Sequence, residues 1–192
     1  AALGVQTHVV GVVGKDPAGQ QLRDMLEKCG VDCSGVLDSD VTTPVKTRVL
    51  AGAVGTTKQQ VLRVDDEPTQ ALSDGYVPEL VALVEERLAK VDGMIVSDYG
   101  LGVVADELVA LASSSAADGK VVCVDSRYRL SEFKGVTAVT PNVPEAETLV
   151  GYSVAQHDDL RRAGSQLQAQ LGCEAVLLTQ GRGGMSLFTK DD

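Results

Sequence analysis

The sequence predicts an α/β protein: a mostly parallel sheet with helices on both faces, three layers in all, and a small β-hairpin attached as a lid. Two observations carry that reading. Apolar residues recur with a spacing that switches repeatedly between two and about 3.6, so strands and helices alternate along the chain. One stretch, Thr43 to Asp65, breaks the alternation with two strand-like runs in succession.

The elements follow in order. Val9 to Val13 reads as a buried strand. Asp16 is placed to cap a helix whose first position is Pro17, where a missing N–H costs nothing. Leu22, Met25, Leu26 and Cys29 line one face of that helix, and Gly30 ends it. Val31 to Val36 is a short edge-like strand. Thr43 to Ala51 and Gln59 to Asp65 alternate apolar and polar residues around a Gly/Thr/Lys loop, a hairpin pattern that puts the lid at about 34–66. The spacing of two sets Lys46 and Arg48 on one face, with Arg63 available from the partner strand. Such a face is either solvated or turned toward an anion.

From Tyr76 onward the pattern becomes βα units. Val77, Leu80, Val81, Val84 and Leu88 make a helical stripe, Met94 to Ser97 a strand, and Ala105 to Ala117 a second helix. Val121 to Val124 and Val136 to Val139 are strands, and a helix follows Thr140-Pro141-Asn142-Val143-Pro144-Glu145. Leu160 to Leu171 is amphipathic, and Ala175 to Leu178 and Met185 to Phe188 close the series as strands. Parallel strands joined by helices fit this order.

Composition narrows the function. Of 192 residues 44% are hydrophobic and 23% charged, which excludes a disordered chain. Twenty-seven acidic against 17 basic residues give a net charge of −10, which argues against nucleic-acid or anionic-membrane partners. A small phosphorylated substrate, needing only a few well-placed cations, stays open. No apolar run is long enough for a membrane span. Cys29 and Cys33 have no second pair nearby, so the four cysteines read as buried thiols of a reducing, cytoplasmic protein and not as a zinc site. The opening Ala1-Ala2-Leu3-Gly4 reads like the tail of a helix, and the chain is expected to be a piece of a longer protein.

Ligands gather at the carboxyl ends of parallel strands, and three such ends carry candidates. Gly100-Leu101-Gly102-Val103-Val104-Ala105, with Asp125 ending the next strand, approaches a dinucleotide pattern and suggests an NAD-dependent oxidoreductase. Against it, Asp98 places a carboxylate beside the phosphate such a turn would hold. Asn142 and Glu145, three residues apart at a helix start, form either a capping box or a site for phosphate and hydrated Mg²⁺. Thr179-Gln180-Gly181-Arg182-Gly183-Gly184 is either a tight hairpin or a phosphate cradle. His8 and His157 have no visible nucleophile or acid partner, so a hydrolase triad finds no support.

Together with Gly11-Val12-Val13-Gly14-Lys15-Asp16-Pro17-Ala18-Gly19, these motifs resemble the ribokinase-like (PfkB) family of sugar kinases over nearly the whole chain. The early run is similar to the family's G-x-x-G-x-D-x-x-G, Asn142 to Glu145 to its N-x-x-E, and Thr179 to Gly184 to its T-x-G-x-x-G. The resemblance implies a ribokinase-like three-layer α/β/α core over residues 1–192 and ATP-dependent phosphorylation of a sugar hydroxyl, with ATP and Mg²⁺ as cofactors. It implies that Asn142, Thr179, Gly181 and Gly184 approach the nucleotide, and that Glu145 orients hydrated Mg²⁺. Lys46, Arg48, Arg63 and Arg127 would bind the substrate, and Asp98 would face the transferring group or its metal.

Thr43 to Val49, Gln60 to Asp65, Val96 to Gly100 and Gly184 to Leu187 resemble the branch that phosphorylates the anomeric hydroxyl of a heptose 7-phosphate. A ribose- or fructose-class kinase, an oxidoreductase and a non-catalytic nucleotide-binding module stay open beside it. Two positions depart from that branch: Leu101 stands where its members carry Lys, and Asp125-Ser126-Arg127 where they carry D-P-K. The family's G-A-G-D motif, with its general base, is expected beyond Asp192, so the chain by itself is expected to be inactive. Open strand edges on the lid suggest a homodimer formed through it.

Overall fold

The computed structural model describes every residue except 54, 56, 69, 71, 191 and 192. The chain divides into two compact units, Ala1–Tyr76 and Val77–Asp192.

The first unit opens on a turn, closed by Gly4 N–H donating to the Ala1 carbonyl at 2.9 Å, where the sequence suggested the tail of a helix. β1 (Thr7–Gly14), α1 (Pro17–Lys28) and β2 (Val31–Ser39) form a parallel βαβ unit. Asp16 caps α1 as expected, one carboxylate oxygen accepting from Gly19 N–H and the other from Thr43 N–H, both at 2.8 Å. Those N–H donors, Thr43 foremost, hold the Asp16 carboxyl below its ordinary range. Gly19 is required by close approach, since a Cβ there would run into the Gly14 carbonyl. The buried core of this unit is small: Val13, Cys33 and Val36.

β3 (Val45–Ala51) and β4 (Gln59–Asp66) are the expected antiparallel hairpin, part of whose loop (residues 54 and 56) lies outside the described residues. Lys46 pairs with Asp65, Arg48 with Arg63 and Val49 with Leu62. Directly opposed residues share a face, so the ribbon is amphipathic. Lys46, Arg48, Arg63 and Asp65 occupy one side, and Val45, Val49, Leu62 and Val64 the other, all of them exposed or nearly so.

The second unit runs α2 (Val77–Leu88), β5 (Gly93–Asp98), α3 (Asp106–Ala117), β6 (Val121–Ser126), β7 (Ala138–Val139), α4 (Val143–Val150), α5 (His157–Leu171), β8 (Ala175–Thr179) and β9 (Met185–Thr189). The strands form one sheet in that order, the first four parallel and β9 antiparallel. The α/β class and the mostly parallel sheet read from the sequence are therefore seen. Val96, Val124, Val139, Val176 and Phe188 lie in register across all five strands and pack on Val109, Ala112, Ala146, Leu160 and Leu167 from α3, α4 and α5. The opposite face is open: Ile95, Val121, Met185 and Leu187 are 54% to 80% exposed. In this unit α3, α4 and α5 pack on one side of the sheet.

Among the described residues no helix is long and apolar enough to cross a membrane. Cys33 and Cys173 are buried thiols as expected, whereas Cys29 is exposed and Cys123 half-buried.

Candidate active site

The carboxyl ends of β5, β6 and β8 and the start of α4 border one cleft of about 800 Å³. It is lined by Asp98, Arg127, Asn142, Glu145 and Thr179, among others. Five of the residues singled out from sequence therefore meet in one place.

Asp98 ends β5 and is 5% exposed. Its Oδ1 accepts from Gly100 N–H and its Oδ2 from the Ser126 hydroxyl, each at 2.8 Å. Ser126 Oγ also accepts from Arg129 N–H at 3.1 Å. The carboxylate thus ties together the loops that follow β5 and β6. Arg129 adds a second tie, donating to the Val104 carbonyl at 2.6 Å and pairing with Asp106 and Glu132. Glu132 and then Asp106 raise the Arg129 pKa against the opposing effect of burial.

This geometry removes the dinucleotide reading of Gly100–Ala105. Gly100 N–H is turned inward to Asp98, and the Tyr128 ring lies 2.5 Å from where a Gly100 Cβ would stand. Ala105 supplies no side-chain cap to α3, whose first turn carries Asp106 and Glu107. A pyrophosphate needs free N–H groups and no like charge at a helix start.

At the other end of the cleft, Asn142 and Glu145 form a reciprocal capping box. Asn142 Oδ1 accepts from Glu145 N–H and Glu145 Oε2 from Asn142 N–H, both at 2.9 Å. The box uses one polar atom of each side chain. Asn142 Nδ2 and Glu145 Oε1 have no hydrogen-bond partner among the described residues. Thr179 is set beside them by a parallel bridge to Asn142 and by its own N–H donating to the Pro141 carbonyl at 2.9 Å.

Gly181 and Gly184 have φ of +56° and +87° and form the turn joining β8 to β9, with Gln180 N–H donating to the Gly184 carbonyl at 2.8 Å. They do not line the cleft, and the Gly184 N–H is spent on the Gly181 carbonyl at 3.3 Å. Their tight-hairpin role is visible in the structure.

Arg127 is the one cation lining the cleft among the described residues, and none of those residues forms an ion pair with it. On the hairpin of the first unit, Lys46 pairs with Glu67 at 3.1 Å and Arg63 with Asp65 at 2.9 Å. Arg48 has no ion pair among the described residues and stands opposite Arg63. Like charges directly opposed on a strand pair are unfavourable without an anion or water between them. The described residues contain no cluster of three or more His, Cys, Asp or Glu that could cage a metal. Sequence reasoning missed Ser126, Tyr128 and Thr140 as cleft residues, although Ser126 lies between two residues it had noted.

A parallel sheet whose carboxyl edge opens into one cleft, with an N-x-x-E helix start and a T-x-G turn beside it, is the framework of a ribokinase-like α/β protein. Residues 1–192 match the pfkB family carbohydrate kinase, and the chain belongs to that family. It is 36% identical over 191 residues to the bifunctional protein HldE of Desulfatibacillum aliphaticivorans, a match spanning 98% of this chain and 38% of that relative. It is 35% identical to the D-beta-D-heptose 7-phosphate kinase of Bordetella bronchiseptica, over 98% of this chain and 58% of that relative. The chain therefore spans well under two thirds of these relatives. Phosphofructokinase-2 from Escherichia coli has a similar fold. Its complex with fructose-6-phosphate gives a TM-score of 0.75 at 20% identity, covering 99% of this chain and 62% of that one. Its tetrameric inhibited form gives 0.77 at 22% identity with the same coverage.

Proposed function

We propose that this chain is the core of an ATP-dependent kinase that phosphorylates the anomeric hydroxyl of a heptose 7-phosphate in the cytoplasm. The carrying observation is that Asn142 Nδ2 and Glu145 Oε1 have no partner among the described residues and belong to side chains that line the same cleft as Thr179 and Arg127. The identity to heptose 7-phosphate kinase and to HldE proteins supports the choice of acceptor.

In this reading Asn142 Nδ2 donates to a phosphate oxygen, and Thr179 and the turn behind it, with Gly181 and Gly184, border the nucleotide. Glu145 Oε1 suits a hydrated Mg²⁺, a hard cation that takes one or two carboxylate contacts and keeps much of its water. When bound, Mg²⁺ supplies charge neutralisation between phosphates. Asp98, with both oxygens already bonded, acts by holding the loops that border the transferring group. Arg127 neutralises charge on the acceptor. Lys46, Arg48 and Arg63 make the polar face of the hairpin an anion-binding surface, and its apolar face, Val45, Val49, Leu62 and Val64, suits a second copy of the chain in a homodimer.

Calorimetry with Mg-ATP on this chain, together with ADP release by the complete parent protein in the presence of heptose 7-phosphate, tests the proposal. Saturable nucleotide binding that Glu145→Gln weakens supports it. Absence of saturable Mg-ATP binding overturns it, and binding without phosphoryl transfer to any sugar phosphate leaves a non-catalytic nucleotide-binding module.

A further inference from the structure

Only six aromatic residues, four Tyr and two Phe, serve the whole chain. Two of the tyrosines, Tyr99 and Tyr128, line the cleft and are 57% and 67% exposed. A large ring left in water forgoes the burial it would otherwise gain. Tyr128 is nonetheless held in place. Its ring edge rests on the Gly100 backbone, and the Arg127 guanidinium lies 5.4 Å from its centroid, within cation–π range. The loop carrying both residues is fastened by the Asp98–Ser126 bond described above. Arg127 brings positive charge to a cleft that also holds Asp98, Asp125 and Glu145, in a chain of net charge −10. An anion entering there has one cation of the cleft to meet.

We propose that Arg127 and Tyr128 act as one docking element for the acceptor, the guanidinium taking the phosphate of a phosphorylated sugar and the Tyr128 ring packing along the apolar C–H face of the sugar. A planar guanidinium matches phosphate bidentately, and an exposed, fixed ring offers contact area at low entropic cost. The assignment rests on the kinase reading. With Asn142, Glu145 and Thr179 at the β7–β8 end of the cleft committed to the nucleotide, the β6 end is left for the acceptor. Tyr128 then sets specificity: a phosphate without a ring gains Arg127 but not the stack.

The chain contains no Trp and two of its four tyrosines line the cleft, so a change in tyrosine emission that Tyr128→Phe abolishes reports on the cleft. Wild type, Tyr128→Ala, Tyr128→Phe and Arg127→Gln are titrated with heptose 7-phosphate, inorganic phosphate and ADP, by emission and by calorimetry. Heptose 7-phosphate is expected to perturb wild-type emission. Tyr128→Ala is expected to weaken heptose 7-phosphate about tenfold, about 1.4 kcal/mol, while leaving inorganic phosphate and ADP within about twofold. Tyr128→Phe, which keeps the ring, binds like wild type, and Arg127→Gln weakens both heptose 7-phosphate and inorganic phosphate. If Tyr128→Ala leaves heptose 7-phosphate unchanged, or weakens ADP instead, the docking element is overturned while the kinase reading stands. If neither heptose 7-phosphate nor ADP binds wild type, both fall together.

Discussion

Asn142 and Glu145 each present two polar atoms in different directions, and this decides how they are best tested. Oδ1 and Oε2 close the start of α4, while Nδ2 and Oε1 are left over in the cleft. Asn142→Asp keeps an equally good cap but replaces the donor with a negative charge. Glu145→Gln keeps the capping box but removes the charge that suits Mg²⁺. Both variants are expected to melt within a degree or two of wild type and to lose roughly 10–100-fold in Mg-ATP affinity by calorimetry, as for groups that orient a metal site. The spacing of these two residues was legible in the sequence, and its two readings describe different atoms of the same side chains. The tie between Asp98 and Ser126 was not legible, because its partners lie 28 residues apart and only the parallel pairing of β5 with β6 joins them. Asp16 gives a pH prediction at this scale. Its carboxyl is lowered in the folded state by N–H donors. The stability it contributes is therefore complete above the ordinary carboxylate pKa and is lost as pH falls through the lowered value. Melting temperature followed from about pH 6 to about pH 2 should fall less steeply for Asp16→Asn, which still caps but has no proton to take up.

Among the elements, α5 shows most clearly how packing overrides propensity. Gly164 lies within it, and a Cβ there would overlap the Phe188 ring of β9. On helix propensity alone Gly164→Ala would stabilise by about 1 kcal/mol. The overlap reverses the sign: overpacking of a fitted core costs typically 1–3 kcal/mol. A lower denaturation midpoint for Gly164→Ala, restored in part by Phe188→Leu, would be the expected result. The strands and helices themselves were legible, because an apolar spacing of two or about 3.6 names them without reference to neighbours. The hairpin was legible too, as was the shared side of Lys46 and Arg48. Whether Gly181 and Gly184 also meet a phosphate was not, since a glycine-rich turn has the same composition whether it binds a phosphate or only reverses the chain.

For the molecule as a whole, the sheet of the second unit has unequal sides. One is covered by α3, α4 and α5, and the other leaves Ile95, Val121, Met185 and Leu187 facing water. Large apolar side chains left exposed on a sheet face favour a cover. The 192-residue chain in solution should bind a hydrophobic dye such as ANS and self-associate with rising concentration, and Ile95→Lys with Leu187→Lys should reduce both. Unchanged dye binding and sedimentation in the double variant would show that this face is not the cause.

The two units also differ in depth. Three buried residues form the apolar centre of the first, against seventeen in the second. Local opening is easiest where few apolar contacts must be broken. A dilute protease should therefore digest residues 1–76 first and leave, as a transient band, a carboxyl-terminal fragment that still holds the whole Asp98–Thr179 cleft.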